Sequence, residues 1–438
     1  MKDVATFLYY WPYYLFMAGV FYLYYKWQYR TETISLEVKS AAIEAGLTEP
    51  ASLHPLIDPD ICIGCGTCVR ACPEHNVLGI IQGKVQLIEP THCIGHGACK
   101  TSCPMDAISL VLGTATRGID LPMVGPDFQT NVPGIFVAGE LGGMGLIRNA
   151  VEQGRQAIES VKKMPGLGKG GDKLDLVIIG AGPAGFSAAL AAKQAGLNYL
   201  VLEQDDLGGT VFKYPRGKLV MTAPAILPIV GKMNFREVSK ETLLEYWNKV
   251  EAEQQLKVSY RDRVEKVVPV GDGFEVHSTT GLKQARSILL AIGRRGTPRR
   301  LGVEGEDQKK VVYQLIDAEQ YKGMHVIVVG GGDSALEAAT SIADQPGTTV
   351  TLSYRSEAFG RAKSKNREKL AAQQASGRLN VRLKSTIKKI DEKSLDLSYE
   401  GQIQSIPNDA VIVCAGGILP TDFLKSIGIN MDTKYGTA

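Results

Sequence analysis

The sequence predicts an α/β protein with two Rossmann-like units, a small α+β module and one N-terminal transmembrane helix, and three observations carry that reading. Two apolar strands each run into a glycine-rich turn and a helix, at Leu176 to Gly185 and at Met324 to Ala335. A cysteine pattern ending in proline is written twice between Cys62 and Pro104. Val4 to Tyr25 carries no charged side chain. At 438 residues, with 44% hydrophobic content and 48 glycines, the chain has room for two or three folded units. Its formal net charge of +3 is small for this length and no basic cluster alternates with aromatics, which argues against a nucleic-acid partner.

Taken in order, the uncharged run comes first. As a helix it would span about 33 Å at about 1.5 Å per residue, enough for a hydrocarbon core. No small-residue cleavage site follows it, so residues 1–30 read as an anchor rather than a signal peptide. Lys26 and Arg30 after the run, against Lys2 and Asp3 before it, put the soluble part on the cytoplasmic side of the cell membrane in a single-pass arrangement. The run holds no histidine, which excludes bis-histidine haem ligation from it. Residues 31–55 read as a polar connector, with a short helix from Ile34 to Ala45, that spaces the next module off the membrane.

That module carries Cys62-x2-Cys65-x2-Cys68-x3-Cys72-Pro73 and then Cys93-x2-His96-x2-Cys99-x3-Cys103-Pro104. Thiolates at this spacing converge on one cubane from a tight loop, while the fourth cysteine, turned away by its proline, reaches the neighbouring cluster. The pattern predicts two clusters: Cys62, Cys65, Cys68 and Cys103 hold the first, and Cys72, Cys93 and Cys99 hold the second with His96 at its remaining corner. Residues 56–114 resemble a bacterial two-cluster ferredoxin. A pair of structural zinc knuckles is the alternative, though the doubled pattern with both prolines is more restrictive than CxxC alone. His96 departs from the family pattern. As a ligand it leaves the second cluster less negative than a thiolate would and raises its potential; the competing reading is a three-iron cluster with His96 as a bystander. The eighth cysteine, Cys414, lies in an apolar run and reads as core, so no pair remains for a disulfide, which suits a reducing compartment.

The remainder carries nucleotide chemistry. The strand ending at Ile179 enters Gly180-x-Gly182-x-x-Gly185 and a helix of small residues, followed by Tyr199-Leu-Val-Leu-Glu203. Glycines there permit the tight turn, the approach of a pyrophosphate to the helix N-terminus and helix–strand packing, and an acid about twenty residues on suits a ribose hydroxyl. Asp206 to Thr222, with Gly209 and Thr210, resembles the bacillithiol-disulfide reductase branch of the thioredoxin-reductase-like flavoproteins. The resemblance implies FAD on Gly180, Gly182, Ala184, Gly185, Glu203, Gly209 and Thr210, with Gly293 closing a second buried FAD strand from Ser287. Ala184 stands where that branch is expected to carry a cysteine, and no CxxC lies outside the iron–sulfur pattern, which counts against disulfide reduction.

Thr130 to Glu140 resembles the closing FAD motif of the same flavoproteins, where a strand ends in Gly-Asp and the next helix points its N-terminus at the flavin. Here Gly139 and Glu140 hold that place, and the helix is expected from Leu146 to about Lys162, with Arg148 and Gln153 near the flavin. In the family this motif lies near the C-terminus. Circular permutation is the simplest account of its early position, and domain exchange in a homodimer is the alternative. The second glycine turn, Gly330-Gly-Gly332-Asp-Ser334-Ala335, has alanine for the third glycine, as the fingerprint allows. After its next strand come Arg355 and Arg361, which suit a 2′-phosphate and favour NADPH over NADH; a solvated basic loop is the bland alternative.

The expected organisation is therefore residues 115–163 as a displaced part of the FAD domain, 164–173 as a glycine-rich linker, 174–302 as the FAD domain, 303–410 as the NAD(P)H domain and 411–438 as a return to the FAD domain. The expected activity moves electrons between NADPH and a membrane partner, a cytochrome or a quinone-reactive subunit, through FAD and two clusters. Reverse flow toward NADP, as in a ferredoxin-type NADP reductase, and a relay subunit without nucleotide turnover are the alternatives. No acid–base catalytic residue is required, because the cofactors carry the chemistry.

Overall fold

The computed structural model describes residues 2–50, 53–74, 76–93, 95–115, 118–143, 145–168, 173–294, 296–360 and 362–436. It divides into two units, one of Met1–Thr114 with Ala358–Ser364 and Gly436–Ala438, the other of Ala115–Glu357 with Lys365–Tyr435.

The first unit opens with α1, Lys2–Glu44, a single helix running through both the uncharged stretch and the expected connector. Among the described residues no helix is long and apolar enough to cross a membrane. This overturns the expected anchor and the single-pass cell-membrane location. The reason is chemical: absence of charge is not apolarity. The exposed positions include Tyr10, Trp11, Tyr13, Tyr14, Tyr22 and Tyr24, whose polar tips favour an interface over a hydrocarbon core. The connector is not a spacer either. Ser35 and Ala42 are buried, Lys39 Nζ donates to Gln86 Oε1 at 2.7 Å, and Glu32 Oε1 accepts from the Gln82 amide at 2.8 Å. Gly79 faces this helix so closely that a Cβ there would lie 2.6 Å from Ser35 Oγ.

The helix lies on a module built twice from a loop, a short helix and a strand. β1 (His54–Ile57) pairs antiparallel with β4 (Ile108–Val111), and β2 (Leu78–Ile81) pairs with β3 (Lys84–Leu87). Gln82 and Gly83 both have positive φ, 52° and 72°, the backbone a tight two-residue hairpin turn requires. The short helices α2 (Thr67–Ala71) and α3 (Ala98–Thr101) are each preceded by a left-handed glycine, Gly66 and Gly97. The core between them holds Cys62, Cys68 and Cys99 with Val77, Leu78, Val85 and Ile108.

In the second unit, β5 (Ile119–Pro122) and β6 (Ile135–Val137) precede α4 (Ile147–Val161). Then come β7 (Leu174–Ile179), α5 (Pro183–Gln194) and β8 (Tyr199–Leu202). The main sheet is completed by β9 (Val258–Ser259), β10 (Val264–Val270), β11 (Gly273–Ser278) and β12 (Gly281–Leu290), in the order β9-β8-β7-β12-β11-β10. The long strand β12 makes a hairpin with β11 through its first half. Its second half runs parallel to β7 on one side and to β6 on the other, with Ile288, Leu289 and Leu290 opposite Ile135, Phe136 and Val137. These central strands are apolar without alternation because both faces are covered. Phe136, Ile158 and Val161, from before residues 164–173, share one core with Leu176 and Ile178 on the strand that enters the glycine motif and Leu190 on the helix that leaves it.

A second, all-parallel sheet contains β13 (Val311–Val312), β14 (His325–Val329), β15 (Thr349–Tyr354), β16 (Leu379–Leu383) and β17 (Ala410–Val413), in the order β13-β17-β14-β15-β16. The helix α6 (Asp333–Ala343) follows β14. The last strand corrects one boundary: Val411 to Val413 belong to this sheet, not to the first. The chain returns to the first core only later, through Leu424, Ile427 and Ile429, before β18 (Met431–Lys434) pairs with β5.

The tightest join between early and late segments is at Gly154 in α4. A Cβ there would lie 2.1 Å from the carbonyl oxygen of Ala184, which is backbone and has no rotamer to yield. Gly154→Ala should therefore cost about 1–3 kcal/mol of stability. Denaturant unfolding of variant and parent checks this, and an unchanged midpoint contradicts the packing.

Candidate functional site

The cysteines of the first unit fall into the crossed sets expected from their spacing. One pocket is lined by Cys62, Cys65, Cys68 and Cys103 together with Ile57, Ile63, Val85 and Met105. The left-handed Gly64 lets its loop meet the β2–β3 hairpin, since a Cβ there would lie 2.0 Å from the Gly83 oxygen. Burial pushes the Cys68 thiol up to about 11, and Cys103 and Cys62 add to the rise as like charges. Cys65 is exposed, and its hydrogen bond with the Thr67 hydroxyl at 3.4 Å holds its thiol below the usual range.

Cys72, Cys93 and Cys99 form the second set. Burial raises all three thiols, and the charge of Cys72 adds to the rise at both Cys93 and Cys99. His96 stands with them: burial depresses its imidazole pKa while Glu74 pulls the other way. Its Nδ1 accepts from the Ala98 amide at 3.4 Å, and its Nε2 is buried with no hydrogen-bond partner. Thiols driven up by burial are discharged when metal replaces the proton, and an orphaned imidazole nitrogen is satisfied by an iron or a sulfide, so these residues fit iron–sulfur clusters. Among the described residues no three His, Cys, Asp or Glu side chains are placed to hold a single ion. The four thiolates of a cubane bind four different irons and stand further apart than ligands of one ion do.

In the second unit the glycine motif is shaped by backbone contacts. Gly180 has φ of 104°, and a Cβ on it would lie 2.6 Å from the Ala291 oxygen; on Gly185 one would lie 1.8 Å from the Gly180 oxygen. Gly182 precedes α5 in extended backbone. Its nearest neighbour beyond the motif is Gly209, and Thr210 follows on the same half-buried turn. Glu203 is buried, and its carboxylate accepts from the amides of Ala181 at 2.6 Å and Asp205 at 2.8 Å. Burial raises its pKa, while those amides oppose the rise.

Gly139 and Glu140 are brought to this turn. A Cβ on Gly139 would lie 2.9 Å from the Cβ of Ala184, and the Gly139 amide donates to Gln153 Oε1 at 2.8 Å. The Glu140 carboxylate borders Gly293, whose added Cβ would be 3.8 Å from Glu140 Oε2. The structure thus gathers Gly139, Glu140, Ala184, Gly185 and Gly293 around one turn, with the open N-terminus of α5 as a cradle for a pyrophosphate.

The second glycine turn is built alike. Gly330 has φ of 146°, and a Cβ on it would lie 2.4 Å from the Cys414 oxygen and 3.0 Å from the Cβ of Ala335. Gly332 and Ser334 lie at the start of α6, with Gly332 in extended backbone. Arg355 is exposed just past β15, and Arg361 lies outside the described residues. Sequence reasoning gave Tyr354 no role. Its ring lies against Gly331, where a Cβ would be 2.2 Å from Cζ, and only a glycine tolerates that contact. It also missed Lys84, Arg70 and Glu74 beside the cysteines. A lone charge next to a ligand motif has no spacing signal of its own.

Comparison with known proteins accords with this geometry. A family model described as pyridine nucleotide-disulphide oxidoreductase matches residues 177–437, and one described as a 4Fe-4S dicluster domain matches residues 54–104. A ferredoxin–NADP reductase of Ignicoccus hospitalis is 31% identical over 265 residues, covering 59% of this chain and 83% of that protein. The bacilliredoxin reductase Bdr of Bacillus subtilis is 27% identical over 267 residues, covering 59% of this chain and 82% of that protein. The solved bacillithiol disulfide reductase Bdr from Staphylococcus aureus superposes with a TM-score of 0.52 at 26% identity, over 59% of this chain and 81% of that one.

The crossed sets make a direct prediction. Cys103→Ala should remove or convert the cluster held by Cys62, Cys65 and Cys68, and Cys72→Ala the other, although each residue belongs by sequence to the opposite motif. EPR and iron analysis of the two variants check this; loss of the cluster on the mutated residue's own motif contradicts it.

Proposed function

Because the chain belongs to the pyridine nucleotide-disulphide oxidoreductase family, we propose that it is an iron–sulfur flavoprotein in which NADPH, FAD and two clusters form one electron path. Bound there, FAD would supply hydride acceptance from the nicotinamide and one-electron release to the clusters. The chain's own part is placement. The N-terminus of α5 would hold the FAD pyrophosphate, and Glu203 fixes that turn through the Ala181 amide. Glu140 would serve the ribityl chain. Gly330, Gly332, Ser334 and Ala335 would cradle the NADPH pyrophosphate, with Arg355 serving its 2′-phosphate.

The observation that carries this reading is Gly139 beside Ala184, which brings a segment from before the glycine motif to that motif. Parallel pairing of β6 with β12 inside one chain supports circular permutation over exchange between subunits. In the sequence the iron–sulfur module directly precedes the strand and helix that this reading assigns to the flavin. Reduction of a disulfide is disfavoured because Ala184, buried at the motif, offers no thiol. Flow toward NADP uses the same residues, and the ferredoxin–NADP reductase relative favours it as the second reading.

Anaerobic NADPH should bleach the flavin, and Arg355→Ala should reduce the preference for NADPH over NADH by about tenfold, the loss of one charge-assisted phosphate contact. Stopped-flow absorbance with both nucleotides checks this. An unchanged preference removes Arg355 from the 2′-phosphate, and no bleaching by either nucleotide contradicts the electron path itself.

A further inference from the structure

Two side-chain cations border the loop of the first cysteine set. Lys84 Nζ donates to the carbonyl oxygen of Cys62 at 2.7 Å. Arg70 Nη2 donates to the carbonyl of Cys65 at 3.4 Å and to Thr67 Oγ1 at 3.5 Å. Both cations therefore sit on the loop of the first set. Polar hydrogens also point at its sulfurs, since the Gly64 amide reaches Cys62 Sγ at 3.4 Å and the Ala107 amide reaches Cys103 Sγ at 3.3 Å. Cys65 is exposed besides.

Reducing a cluster adds one negative charge to it. A nearby cation stabilises that charge and an anion opposes it, and hydrogen bonds to the sulfurs and solvent exposure act in the same sense as the cation. We propose that Lys84, assisted by Arg70, raises the potential of the cluster held by Cys62, Cys65, Cys68 and Cys103. This rests on the two-cluster reading above. The tuning is assigned to groups that touch no iron: Lys84 is a positioning residue for charge, not a ligand.

The test is an EPR-monitored redox titration of the full-length protein loaded with both clusters. The signal altered by Cys65→Ser identifies the first cluster. Lys84→Gln should shift the first cluster to lower potential, changing its reduced-to-oxidised ratio at a fixed potential by about tenfold, and should leave the second in place. Lys84→Arg, which keeps the charge, should restore the parent value. Equal shifts in both clusters, or none, overturn the inference while leaving the two-cluster reading standing. Parent protein holding a single cluster overturns both.

Discussion

The flavoprotein unit depends on one close approach, that of the α4 backbone at Gly154 to the Ala184 carbonyl at the mouth of the first glycine motif. Two helices can come this near only where neither carries a Cβ in the gap, and Gly139 meets the Cβ of Ala184 from the other side. That contact fixes β6 against β12, and with it the strand end that bears Glu140. It also explains why alanine is tolerated at position 184. Its methyl group fills the space between the two segments, a space in which the disulfide reductase branch would be expected to carry a thiol.

The expected connector and the ferredoxin-like module are two pieces in the sequence but pack together in the structure. The carboxyl-terminal half of α1 buries Ser35 and Ala42 against the β2–β3 hairpin, and that same hairpin supplies the Gly83 carbonyl against Gly64 and the Lys84 ammonium on Cys62. Support therefore passes from the helix through a hairpin to the loop of the exposed cluster. This gives α1 a structural task that needs no bilayer.

Much of the cofactor chemistry was legible because it is written in spacing. Cysteines two and three apart, and glycines at a strand-to-helix turn, have so few geometric solutions that the sets Cys62, Cys65, Cys68, Cys103 and Cys72, Cys93, Cys99 could be grouped before any fold was known. Gly139-Glu140 was read from the same kind of local pattern, and the structure places it beside Ala184 and Gly293. What failed was inference from composition: Val4 to Tyr25 lacks charge, yet its phenols and indole are too polar for an apolar span. The segment Val411 to Val413 was given to the wrong sheet because a buried parallel strand is apolar on both faces, and nothing in three apolar residues says which sheet they enter. Lys84 and Tyr354 act through contacts made across the fold and left no local pattern to find.

The central claim is that electrons from NADPH reach the clusters only by way of the flavin. Rapid-freeze EPR after anaerobic mixing with NADPH tests it most directly, on protein with both cofactors and on protein stripped of flavin but keeping its iron. The account predicts reduced-cluster signals in the first and none in the second, with recovery when FAD is returned. Cluster reduction at the same rate without flavin would contradict it.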